Sequence, residues 1–151
     1  SNLSRQAGFT LIEVIVGLLI VAASSAAMFY GVVYSRAELR KVSIQERALE
    51  ELNNEVEYWM ARVAYQGRGA QTASYTGSQG REVILYAPEG DPDKAIVGKI
   101  YRLPVEEEVF ADVNKAPYYI IEAWIEWDDY LGEPGEMNEI RVRTAGFKYE
   151  K

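Results

Sequence analysis

From Val14 to Tyr34 the chain runs for 21 consecutive residues without a formal charge (VIVGLLIVAASSAAMFYGVVY). At ~1.5 Å rise per residue, such a run wound as a helix matches a hydrocarbon core of ~30 Å. A helix apolar on every face cannot be one wall of a small soluble core, which buries a single stripe. The run therefore predicts one membrane span near the N-terminal end, with the rest of the chain in water. Charge follows the same division. Residues 9–34 carry one acid, Glu13, whereas residues 35–151 carry 22 acids and 15 bases. The net charge of −7 thus belongs to the second part of the chain and speaks against a nucleic-acid partner, which requires a basic face.

A secretory signal peptide is the rival reading of this start, with Arg5 as its basic region, Val14 to Ala22 as its apolar stretch and Ser25-Ala26-Ala27 near a cleavage point. Two features weigh against it. Glu13 sits at the edge of the apolar stretch, and apolar character continues through Met28-Phe29-Tyr30 and Val32-Val33-Tyr34.

Gly8-Phe9-Thr10-Leu11-Ile12-Glu13-Val14, after a polar leader containing Arg5, resembles the processing site of type IV prepilins and pseudopilins. The leader departs from the family pattern in having a single basic residue. The resemblance implies cleavage after Gly8 by prepilin peptidase and N-methylation of Phe9. It also implies partners: other pilin or pseudopilin subunits, an inner-membrane assembly platform and membrane lipid. The family's proposal for Glu13 is pairing with the Phe9 ammonium of a neighbouring subunit during filament assembly. Physical chemistry singles out Glu13 independently, because a carboxylate within a span costs on the order of 2.5–3.5 kcal/mol unless neutralised. It leaves open whether Glu13 serves a neighbour, complements its own helix N-terminus or snorkels to the interface.

Gly17, Ala23, Ala27 and Gly31 mark candidate helix-packing positions, small residues that let helices approach closely in lipid. Orientation brings two rules into conflict. Arg36, Arg40, Lys41 and Arg47 follow the span, and a positive-inside count puts that side in the cytoplasm. The prepilin resemblance implies the reverse, with residues 36–151 in the periplasm.

Residues 36–65 contain no Gly or Pro, and Val42, Leu49, Val56 and Val63 recur every seven residues with Leu52 and Trp59 between them. This predicts an amphipathic continuation of the helix, packed on a sheet; from Phe9 to Tyr65 it would span about 85 Å. Residues 66–80 hold four glycines and form a loop. Strands are expected at 82–87, 96–103, 117–127 and 139–149, joined by Pro88–Lys94, an acidic connection at 104–116 and Asp128–Asn138. Antiparallel pairing of the last two would set Glu122 and Glu126 near Arg141 and Arg143, and Gly146 suggests a bulge.

The expected fold is α+β: a long N-terminal helix on a four-stranded antiparallel sheet, as in pilins. The expected divisions are a leader at 1–8, a transmembrane and filament-core helix at 9–35, and a globular domain at 36–151. That domain comprises helix 36–65, loop 66–80 and sheet 81–151.

Chemistry is scarce. The chain has no Cys and no His, which removes thiol nucleophiles, Ser-His pairs and most zinc sites. Acidic loops at Asp91-Pro92-Asp93 and at Asp128-Asp129 with Glu133 and Glu136 are the calcium candidates, but neither matches a Ca²⁺-loop pattern. Glu106-Glu107-Glu108 reads as a solvated loop. No cofactor and no enzymatic activity are expected. The leading expectation is a minor pilin or pseudopilin. The alternative is a tethered or secreted ligand-binding β-domain that displays Tyr118, Tyr119, Trp124 and Tyr130.

Overall fold

A computed structural model describes residues 10–67, 79–109, 116–129, 135 and 137–149. Its first element is α1 (Leu11–Gln66), followed by β1 (Arg81–Tyr86), a 3-10 turn at Pro92–Lys94, β2 (Ile96–Arg102), β3 (Glu106–Glu108), β4 (Tyr118–Asp128) and β5 (Met137–Phe147). The chain divides into two compact units, Ser1–Val42 and Ser43–Lys151.

In the first unit, every described side chain from Thr10 to Leu39 is exposed. Leu11, Met28 and Phe29 each show more than two thirds of their surface. Apolar surface on this scale has no place in water. The hydroxyl of Ser25 donates to the Val21 carbonyl at 2.8 Å, so this polar group is satisfied within the helix.

The second unit holds the core. Residues Ile44, Ala48, Leu52, Val56, Trp59 and Val63 of α1 are buried, spaced by three and four as a helix packed on one side requires. Only part of the expected heptad stripe is used. Val56 and Val63 are buried, but Val42 and Leu49 remain 47% and 43% exposed. At ~100° per residue, Ile44 and Ala48 align with Leu52, Trp59 and Val63, while Val42 and Leu49 turn to the flank. The helix ends on Gly67, whose φ of 54° is the left-handed conformation that closes many helices. The amide of Tyr149 donates to the Ala64 carbonyl at 2.9 Å, satisfying one of the last-turn acceptors.

The sheet is antiparallel with five strands instead of four. Along β4, residues 123–127 pair with β2 and residues 118–120 with β3, while β5 pairs along its whole length. β2 and β3 are therefore two pieces of one lane, and the order of lanes follows the chain as a meander. The lane breaks at Pro104, which has no amide to give to a ladder. Leu103 still donates to the Glu122 carbonyl at 2.9 Å, and Val105 turns into the core at 4% exposure. Glu106-Glu107-Glu108 is consequently a short strand, contrary to the expected solvated loop.

β4 alternates as its sequence predicts: Tyr119, Ile121, Ala123, Ile125 and Trp127 are buried and the intervening residues half-buried. Two apolar clusters result. One joins Ile44, Ala48, Leu52 and Val56 to Ile96, Ile100, Ala123, Ile125 and Trp127. The other joins Trp59 and Val63 to Val105, Tyr119 and Ile121.

Gly146 forms no bulge, because the β4–β5 register runs unbroken from Asp128↔Met137 to Tyr118↔Phe147. Its role is close approach: a Cβ there would lie 3.3 Å from Cγ1 of Val63. Replacing Gly146 by Leu should therefore overpack the helix–sheet contact and cost about 1–3 kcal/mol. Urea unfolding of the full chain in detergent would measure it, and an unchanged midpoint would remove this explanation of the glycine.

The outer face of the sheet is organised by register. Trp124 stands opposite both Tyr101 and Arg141. Its ring stacks on Tyr101 with centroids 5.6 Å apart, and the Arg141 guanidinium carbon sits 4.4 Å from its centroid. Glu122 meets Arg141 at 2.9 Å and Arg143 at 3.9 Å, as expected. Glu126 meets no arginine among the described residues. It lies opposite Glu139 and accepts the Trp124 indole N–H at 2.9 Å, because the ladder places Arg141 beside Trp124 instead.

Candidate functional site

The site is built from the start of α1. Thr10 precedes the helix, and its amide and hydroxyl donate to Oε2 of Glu13 at 2.8 Å and 3.0 Å. The Glu13 amide in turn donates to the Thr10 hydroxyl at 3.3 Å. This reciprocal arrangement is a capping box, with threonine at the N-cap and glutamate three residues on. Each partner satisfies a donor that the first helical turn leaves open. The carboxylate also lies at the positive end of the helix dipole. Of the readings left open for Glu13, complementing its own helix is thus realised in the geometry. Oε2 carries the capping bonds, and a carboxylate with two oxygens retains acceptor capacity for a cation. Thr10 escaped the sequence reading as a partner, although the spacing Thr10-x-x-Glu13 is the signal for it.

Gly8 and Phe9 lie outside the described residues. Gly17, Ala23, Ala27 and Gly31 all lie on α1 and are exposed. A Cβ added at Gly17 or Gly31 would meet nothing within 4 Å, so neither glycine is required by packing among the described residues. By length and composition α1 is apolar enough to cross a membrane, and none of its most apolar stretch is buried.

A family model described as the prokaryotic N-terminal methylation motif matches residues 3–29. The chain carries the methylation motif of type IV pilins and pseudopilins. This match supports that family and processing by prepilin peptidase, and points to a structural subunit. Together with the exposed apolar helix it fits a membrane-anchored, single-pass protein. No curated protein and no solved structure matches the chain.

The other candidate groups lie in the second unit. Among the described residues no three acidic, Cys or His side chains cluster as a metal site. Asp91 is engaged by Lys94 at 2.8 Å, while Glu133 and Glu136 lie outside the described residues. A cavity of 290 Å³ between helix and sheet is lined by Glu55, Trp59, Arg81 and Arg102 among others. Its polar groups engage one another: Glu55 accepts the Trp59 indole N–H at 2.9 Å and meets Arg81 at 3.3 Å.

Three of the four aromatics proposed for ligand display are engaged within the fold. Tyr119 is 3% exposed and belongs to the core. Trp124 is bracketed by Tyr101 and Arg141. Tyr118 donates its hydroxyl to Glu108 at 2.5 Å, tying β4 to β3. Tyr130 lies outside the described residues.

The Tyr118 bond has a pH signature. Hydrogen bonding to Glu108, with burial and the Glu108 charge, raises the Tyr118 pKa above its ordinary value of 10.0. A raised pKa favours the protonated phenol. Its contribution to stability is therefore fully present below about pH 10 and is lost as pH climbs through the higher folded value. Tyr118→Phe should remove one tyrosinate that titrates above the ordinary range from an alkaline absorbance titration and lessen the matching fall in stability. A variant titrating like the parent would refute the assignment.

Proposed function

We propose that the chain is a structural subunit of a type IV pilus-like filament or type II secretion pseudopilus, and a minor component of it. It is cut between Gly8 and Phe9, methylated on Phe9, and held by residues 9–35 in the inner membrane, with residues 36–151 in the periplasm. An assembly platform then draws it into the filament. The observation that carries this reading is a lone acid, Glu13, fixed at the head of a helix whose apolar surface is exposed among the described residues.

In lipid a carboxylate needs a compensating cation. A mature chain beginning at Phe9 provides one, since N-methylation retains the charge of the amine. Pairing of Glu13 with the Phe9 ammonium of a neighbour would set the register between helices, and Gly17, Ala23, Ala27 and Gly31 would let those helices approach closely. The absence of Cys fits a minor subunit without the C-terminal disulfide common in major pilins. The acidic character of residues 35–151 suits a water-exposed domain, and the motif outweighs the basic cluster at Arg36, Arg40 and Lys41 in setting orientation.

The deciding experiment is the N-terminal mass of the protein purified from its native host. A terminus at methylated Phe9 is expected. A terminus near Met28 would identify a cleaved signal peptide, and retention of residues 1–8 would refute processing.

A further inference from the structure

We draw no further inference here: the strongest candidate, the shallow apolar groove lined by Ala61, Ala64, Tyr65 and Tyr149 where the C-terminal tail crosses the last turns of α1, carries nothing because nothing in the structure shows what covers it.

Discussion

Glu13→Gln is expected to be cleaved and methylated normally, yet to be depleted from sheared filaments or pseudopili by roughly 30-fold. The choice of glutamine matters. At the third helical position Gln completes a capping box about as well as Glu, so this variant retains the bonds to Thr10 and loses only the charge. If Glu13 does no more than cap its own helix, Glu13→Gln assembles like the parent. If it neutralises a neighbour's ammonium in lipid, the charge is indispensable. Removing one partner of a desolvated pair costs about 2–5 kcal/mol, and 1.4 kcal/mol is tenfold in an equilibrium. Glu13→Ala should fail at least as severely.

Thr10→Val supplies the complementary arm. It loses the side-chain cap, worth about 0.5–2 kcal/mol, but keeps the charge, and its incorporation should fall between parent and Glu13→Gln. The measurement is the ratio of subunit in filament and membrane fractions, with the N-terminal mass taken on both. Parental incorporation of Glu13→Gln would overturn the assembly role while leaving processing at Gly8 untouched.

Trp59→Ala should be the most damaging single truncation in the globular unit, lowering stability by about 3–5 kcal/mol. Three separate losses meet at this residue. The ring is 6% exposed and joins Val63, Val105, Tyr119 and Ile121 in one cluster. Its face carries the guanidinium of Arg102, 3.6 Å from the centroid, and Arg102 is itself only 5% exposed. Its indole N–H satisfies Glu55. A cation held between ring and sheet loses its aromatic support when the ring is removed, and buried charge is tolerated only when compensated. Trp59→Phe retains most of the packing and the cation–π face but not the indole N–H. It should recover more than half of the loss. Chemical unfolding of the full chain in detergent, followed by the remaining tryptophans Trp124 and Trp127, would report both. Equal destabilisation by Ala and Phe would show that the hydrogen bond to Glu55 dominates and that the packing account is wrong.

Strand existence and inward faces were readable because period-two alternation is a local property. β4 shows it most clearly, from Tyr119 to Trp127. The amphipathic half of α1 was readable for the same reason, but its phase was not. Val42 and Leu49 satisfy a seven-residue repeat as well as Val56 and Val63 do. Only the position of the sheet selects Ile44 and Ala48 in their place. Gly146 was misread because a glycine in a strand signals either a bulge or a close contact. The choice depends on Val63, 83 residues earlier. The run Glu106-Glu107-Glu108 was misread for a similar reason. Three acids have poor strand propensity, but β4 offers an unpaired edge beyond Arg102 and fixes them there.

The candidate site divides along the same line. Gly8, Phe9 and Glu13 stand out in the sequence because a conspicuous motif opens an uncharged run that water cannot accommodate. A single acid in that run demands an explanation before any fold is known. That Thr10 holds Glu13 is also local, three residues apart, yet it became evident only from the bonds between them. The sequence by itself determined the apolar segment, the acid at its head and the alternation of the strands, since each follows from neighbours along the chain. Only the tertiary structure decided which helical stripe is buried, how Pro104 divides one lane of the sheet, and why Gly146 and Trp59 cannot be exchanged freely. Those depend on which surfaces meet across long sequence separations, where excluded volume and buried charge leave one arrangement.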